Sequence, residues 1–392
     1  MGEELIEADV AIVGAGIAGA ALACAFARHG VRVALVERRG RAGGIHRGDS
    51  LLPKSTRVLE HLGLLAAVRD AGAETIDRLE IHHSRHGKMV ETPLTASGED
   101  TPYLVLPHAK FEDVLLTAAV ASGCTRLIRP AKVVDVNGAS DGPGLRYEAG
   151  SGHGLIRARL VVGADGHASI VRRAAGIGMP VREYDHAYLG LEADRPPAYT
   201  NAMRVHFHGD GGVLLMPRPT RVGIGVLVEA GSAPRWMTMS DDELRGALVA
   251  RAPILEGMRL HREGAQVYAL SRGHADRYVA GGLVIVGDAA HVTNPTAGQG
   301  MAMALADADV LADLVGPALA NGEREIGPAL AAYERRQWPL NQRLVRTSHL
   351  LALVYALRGP LWDGVKTAMV RALGPAAGTR LARPVIRNFL RP

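Results

Sequence analysis

Short apolar runs alternate along this chain with segments of helical period, a pattern that predicts layered α/β structure. Asp9 to Val13 reads as a buried strand and runs into Gly14-Ala15-Gly16-Ile17-Ala18-Gly19. A helix of small residues follows to about His29, with Ile17, Ala20, Ala21, Cys24 and Ala27 at helical spacing and Gly30 as its stop. A second strand, Val31 to Glu37, ends on an acid. Ser55 to Leu65 and Phe111 to Ala121 read as helices, and Leu79 to His83, Met89 to Thr92 and Tyr103 to Leu106 as short strands. Leu160 to Val162 is a continuous apolar run of the parallel-sheet kind. Strand-like alternation dominates from about Tyr184 to Val228, broken at Pro196-Pro197, Gly209 to Gly212 and Pro217 to Pro219. An apolar strand returns at Leu283 to Val286 and leads to a helix from Gly300 to about Leu314. The last fifty residues read as helical, interrupted at Gly359-Pro360, Gly374-Pro375 and Pro384.

The order α/β, then β-rich, then α/β predicts a Rossmann-like nucleotide-binding domain built from discontinuous segments, with a mainly β domain inserted. The expected division assigns 1–72, 107–180 and 271–342 to the nucleotide domain and 73–106 with 181–270 to the sheet domain. Residues 343–392 form a basic helical tail.

Composition narrows the class. With 392 residues, 47 % of them apolar and 22 % charged, the chain can bury a sizeable core and is not a disordered one. Its longest clean apolar stretch, Leu350 to Leu357, is far short of the roughly 20 residues a bilayer crossing needs. The glycine turn begins at Gly14 with Glu3, Glu4 and Glu7 before it, which leaves no space for a secretory signal. Two cysteines, Cys24 and Cys124, are too few for a disulfide framework, so a cytoplasmic location is expected. The net charge of +5 suggests an anionic partner until it is located. From Arg343 to Pro392 there are nine basic residues and one acid, Asp363, leaving 36 basic against 39 acidic residues elsewhere. The basicity belongs to the tail, and a nucleic-acid footprint over the body is not supported.

Three glycine-containing motifs carry the chemistry. In the first, Gly14 permits a tight turn, Gly16 lets backbone approach a pyrophosphate at the positive end of the next helix, and Gly19 allows close helix–strand packing. Glu37, 21 residues after Gly16, is placed to accept from a ribose 2′-hydroxyl, which argues against a 2′-phosphate. The second is Gly163-Ala164-Asp165-Gly166, then Ser169 and Arg172; the third is Gly287-Asp288-Ala289-Ala290-His291, then Pro295, Gly298-Gln299-Gly300 and Asp307. Asp288 is a carboxylate at the end of a sheet strand, aimed at hydroxyls. Gly298 and Gly300 strip side chains from a helix start, so that free N–H groups can meet a ligand.

These three motifs, in this order, resemble the class A flavin-dependent monooxygenases of the p-hydroxybenzoate hydroxylase fold, a family that includes 2-polyprenyl-phenol hydroxylases and many natural-product hydroxylases. The resemblance runs from about Val10 to Asp313. It implies FAD, with Gly14, Gly16, Ile17, Ala18 and Gly19 on its pyrophosphate and Glu37 with Arg38 on the adenosine side. It places Asp288, after Gly287, on the ribityl chain and Pro295 beside the isoalloxazine ring. Gly298, Gln299 and the amides of Gly300, Met301 and Ala302 then face the ring's pyrimidine edge. Asp165-Gly166 resembles the family's second fingerprint, and Arg47, His108 and Val133 are implied as further cofactor contacts. The family usually has arginine at His108 and often asparagine at Ala302. The implied activity is hydroxylation or epoxidation of an aromatic or polycyclic small molecule with O2 and NAD(P)H, through a flavin C4a-hydroperoxide. A helix N-terminus beside the ring would favour the anionic reduced flavin by roughly 0.3–1 kcal/mol.

No second glycine fingerprint for NAD(P)H is present, since Gly223-Ile224-Gly225 lies within a strand pattern. A related halogenase would carry Trp-x-Trp-x-Ile, whereas Trp236, Trp338 and Trp362 are isolated. Substrate candidates from the sheet are Tyr184, His186, Tyr188, Arg204, His206, His208, Met216 and Arg218. Arg204, His206 and His208 alternate on one strand and share a face; they are the expected catalytic group if that face meets the substrate, and surface polarity if it does not. His82, His83 and His86 lack a completing acid or cysteine in sequence, so no metal is expected. The tail reads as a helix packed on the body or on a second copy in a homodimer, as a lid, or as a basic amphipathic segment on an anionic membrane. Two alternatives remain open: a flavin reductase or dehydrogenase of the same fold, and a non-catalytic nucleotide-binding protein.

Overall fold

The computed structural model describes residues 4–41, 48–94, 102–137, 142–150, 152–209, 211–323 and 325–377. Its centre is a six-stranded sheet in the order Val279–Ala280, Leu283–Ile285, Leu160–Gly163, Val10–Val13, Val33–Val36, Thr125–Ile128. All neighbours are parallel except the first pair. The four inner strands are short and wholly apolar because both faces are covered. Helix Ile17–Ala27 packs on one face with almost every residue buried. Its alanines and glycine let helices His108–Ala121 and Gln299–Ala320 come close. Cys24 is buried there and its thiol donates to the Leu115 carbonyl at 3.2 Å.

The expected β-rich region is an eight-stranded sheet, ordered His291–Val292, Leu260–His274, Val181–Asp194, Arg221–Glu229, Gly211–Pro217, Ala202–His208, Arg78–His83, Gly87–Pro93. The strand Leu260–His274 carries this sheet beyond the boundary expected at 270, and His291–Val292 joins it from inside the third motif. The two layers are therefore sewn together at the motif rather than hinged beside it. The helical pattern expected for Ser55 to Leu65 resolves into Pro53–His61 and Leu65–Asp70. A four-stranded sheet of Glu4–Glu7, Gly152–Arg157, Gly144–Ala149 and Lys132–Asn137 was not legible in the pattern, because its strands are half exposed and mix polar with apolar residues. Helices Gly327–Ala356 and Pro360–Ala377 close the described chain, with the expected break at Gly359-Pro360. The break expected at Gly374-Pro375 is absent, the helix continuing to Ala377; Pro384 lies outside the described residues.

Candidate cofactor site

The carboxyl ends of four adjacent central strands deliver the three motifs and Glu37 to one crevice, where open α/β sheets bind ligands. The glycines of the first motif divide the work as their spacing implies. Gly14 has φ +98°, and a Cβ there would lie 2.5 Å from the Ala164 carbonyl oxygen. At Gly19 a Cβ would fall 1.9 Å from the Gly14 oxygen, so this glycine lets the helix start sit against the turn. Gly16 is different: nothing lies within 4 Å of where its Cβ would be. Gly16 is the N-cap of helix Ile17–Ala27, the helix end at which anions are favoured. Glu37 is buried and accepts from the Ala15 and Arg39 amides, each at 2.8 Å, and from the Arg39 guanidinium at 3.1 Å. Burial alone would raise this carboxyl, but those bonds outweigh it and hold it below the ordinary range. Arg38 beside it is exposed; Val133 lies on the strand entered just after Ala131, whose amide donates to the Glu37 carbonyl.

The second motif braces the first. Asp165 accepts from the Ile170 amide at 2.7 Å and Ser169 caps the same short helix. Burial raises the Asp165 carboxyl, with hydrogen bonds from Ser169 and Ile170 opposing. Gly166 follows in the turn. Arg172, buried, donates to the Ala289 carbonyl at 2.8 Å and to that of His167 at 2.6 Å, tying the second motif to the third.

At the third motif, a Cβ on Gly287 would lie 2.8 Å from the Ala18 methyl, so residues far apart in sequence meet at the helix start. Asp288 is exposed beside that contact, with no hydrogen-bond partner among the described residues. The Gly287 amide donates to Asp307 at 3.0 Å; the same fully buried carboxylate meets the His291 Nε2 at 2.6 Å and accepts from the Asn341 amide at 2.8 Å. Asn294 caps the turn Pro295–Ala297 by accepting from Thr296, and Gly298, at φ +63°, starts helix Gln299–Ala320 with no side-chain cap. Gly300 and Met301 are half exposed and Ala302 is buried, so the uncapped N–H groups form an anion-favouring terminus. His108 donates its backbone N–H to Asp49 at 3.1 Å, while its buried Nδ1 has no partner among the described residues. Arg47 lies outside the described residues.

The substrate wall requires a correction. Arg204 pairs across the sheet with Leu215, and His206 with Val213, whose side chains pack under helices Ala233–Thr238 and Asp241–Arg251. His208, in the same alternation, shares that face. These three therefore look away from Ala302, and the catalytic expectation for them is not supported. Met203, Val205 and Phe207 look inward instead: Met203 packs near Ala302, Met216, Leu52 and Tyr103, and Phe207 meets Tyr355 edge-on at 5.5 Å. Tyr188 joins this inward cluster, while His186 reaches the Asn294 amide at 3.3 Å and Tyr184 the His349 ring at 3.1 Å. Burial pushes the phenols of Tyr103, Tyr188 and Tyr355 upward, so they stay protonated.

Arg204 is instead structural, donating to Glu80 at 2.8 Å over the Tyr199 ring. His206 stacks on His82 at 4.6 Å and is pushed down to about 3, by burial first and by His82 and Arg204 next. An unfolded histidine takes up its proton near pH 6.5. Between pH 6.5 and about 3 the unfolded chain thus holds a proton that folded His206 does not, and stability falls as pH drops through that window. His206→Phe is expected to flatten the acid limb of a urea-unfolding series by close to one proton. An unchanged slope would show that His206 protonates freely in the fold.

Three features of the site went unread in the sequence. Arg218 and Asp49 form a buried pair, joined by Glu192, that bridges the sheet to the chain entering Ser50–Leu51. Lys54, in the first turn of Pro53–His61, is buried and pushed down to about 8 by burial, the nearby Asp307 charge opposing. His82 and His83 do have acids: Glu80, two residues earlier on the same strand, and Asp363, brought from the last described helix. Among the described residues, His61, Asp309 and Asp313 also bring ligand atoms within 4.8 Å of one another, but Arg28 and His29 already face them.

The comparisons agree with this geometry. A family model described as FAD binding domain matches residues 7–348. The chain is 29 % identical to ubiquinone hydroxylase UbiL of Rhodospirillum rubrum, over 98 % of this chain and 89 % of the relative. It is 29 % identical to 6-methylpretetramide 4-monooxygenase of Streptomyces rimosus, over 98 % and 91 % respectively. The crystal structure of Pseudomonas aeruginosa PqsL in complex with 2-aminobenzoylacetate superposes with a TM-score of 0.76 at 27 % identity, covering 92 % of this chain and 99 % of that one. With the Gly14 to Gly19 turn, Glu37 and an uncapped helix start at one crevice, and the family model spanning residues 7–348, the chain belongs to the FAD binding domain family.

Proposed function

We propose that this chain is an FAD-dependent monooxygenase that hydroxylates an aromatic or polycyclic small molecule, taking electrons from NAD(P)H and oxygen from O2. The observation that supports the reading is the packing of Gly287 against Ala18, which brings the turn bearing Asp288 to the start of the helix whose cap, Gly16, leaves open space. Gly16 and its neighbours would hold the pyrophosphate, Glu37 the adenosine ribose, Asp288 the ribityl chain and the amides of Gly300 to Ala302 the ring edge. Bound there, the flavin supplies hydride acceptance and oxygen activation. The protein's own contribution is positional. The wall of Met203, Val205, Phe207 and Met216 excludes water from the reacting face, and the neighbouring phenols hold an aromatic ring by edge and face contacts. His186 has both ring nitrogens engaged, Nδ1 by Asp185 and Nε2 by Asn294, so it fixes the wall to the third motif rather than meeting the substrate.

The relatives' names point to quinone-type, polycyclic and aminoaryl substrates, and the apolar wall suits all three. The absence of a second glycine fingerprint fits a reductant that visits only transiently. The test is a purified yellow protein whose NAD(P)H oxidation rises with phenols, quinols or polyketides, with label from 18O2 entering the product. Product without label would convert the reading to the reductase alternative. A protein that cannot be loaded with FAD would end it.

A further inference from the structure

The last two described helices turn apolar side chains outward. Leu350 and Leu353 on Gly327–Ala356, and Leu361, Trp362, Val365 and Met369 on Pro360–Ala377, are all exposed. From 343 onward the exposed charges of these two helices have one sign, while Arg358 between them pairs with Glu229 of the sheet. Arg343, Arg346 and Arg371 are exposed, whereas Asp363, the one acid from 343 onward, is buried and meets the His83 Nε2 at 3.1 Å. Lys366 is also turned inward, donating to the Leu357 carbonyl at 2.8 Å. The helix is thus fixed to the sheet edge by its only acid, and its outer face keeps apolar side chains and arginines.

We infer that this face docks on an anionic lipid bilayer. A second copy of the chain is disfavoured as occupant, because a two-fold contact would set these arginines against their own equivalents. The segment 378–392 is disfavoured for the same reason, since it adds four arginines and no acid. A surface of negative headgroups over hydrocarbon satisfies both halves of the patch, with Trp362 at the boundary between them. The side of helix Gly327–Ala356 opposite Leu350 and Leu353 carries Tyr355, which meets Phe207 in the inward aromatic cluster. Docking would therefore bring the substrate wall to within about one helix diameter, roughly 10 Å, of the lipid. Resting on the monooxygenase reading, this points to a lipophilic aromatic substrate taken from the bilayer.

The experiment is flotation of the full-length, FAD-loaded protein with vesicles of phosphatidylcholine alone or with one-third phosphatidylglycerol. Binding is expected to the anionic vesicles only and to be released by high salt. Leu353→Glu with Trp362→Glu should lower the bound fraction at least roughly tenfold, with flavin content and melting temperature unchanged. Three results would overturn the inference: no flotation, flotation indifferent to the substitutions, or a dimer in sedimentation velocity that the substitutions dissolve. Flavin content is read in every arm, so failure here leaves the monooxygenase reading separately testable.

Discussion

Gly16→Val is expected to abolish FAD retention while leaving the apoprotein as stable as the parent. The position has φ −67° and extended ψ, which valine adopts readily, and no protein atom lies within 4 Å of the added carbon. Surface substitutions without a clash stay within about 0.5 kcal/mol. The branched side chain would occupy the space kept for the pyrophosphate, so binding should weaken at least a hundredfold, or about 3 kcal/mol. Flavin fluorescence titration and a urea melt of the apoprotein measure the two halves. Gly19→Ala is the contrast: its methyl would strike the Gly14 oxygen, and stability should fall together with binding. If Gly16→Val binds flavin normally, the diphosphate is not where the loop implies.

Asp307→Ala is the second large effect. This carboxylate is wholly buried and serves the Gly287 amide, the His291 ring and the Asn341 amide together. Its removal strands three polar groups where water does not reach, and breaking a buried polar contact of this kind costs about 3–5 kcal/mol. Because Gly287 is one of the three, the turn bearing Asp288 should loosen as well. The expected outcome is a lower urea midpoint together with weaker flavin retention. Asp307→Asn, which keeps an acceptor oxygen, should lose less of both. Normal stability in Asp307→Ala would mean that the turn holds its shape without the buried acid.

The cofactor side of the site was legible because its rules are backbone rules. A glycine that must avoid the Ala164 carbonyl, or an acid closing the second strand, is demanded by local geometry whatever the surrounding fold. The substrate side was not, and Arg204 and His206 show why. Alternation reveals that two side chains share a face but not which layer that face meets. Here both faces of the sheet are covered, one by the cofactor layer and the other by Ala233–Thr238 and Asp241–Arg251. Polar residues usually mark the wet face of a sheet; here they lie beneath helices, held by Glu80 and by stacking on His82. The Arg218–Asp49 pair was hidden for another reason: its partners are 169 positions apart and neither belongs to a repeating pattern.

One contact also orders events in time. Tyr355 rests where a side chain on Gly212 would stand, a Cβ there lying 2.1 Å from its hydroxyl. The chamber wall formed early in synthesis therefore waits for a plug supplied almost last. A chain stopped after residue 342 should still take up flavin on its completed crevice, yet burn reductant without oxygenating anything, a futile turnover that hydrogen peroxide release would expose. If such a chain stays coupled, the plug is decoration.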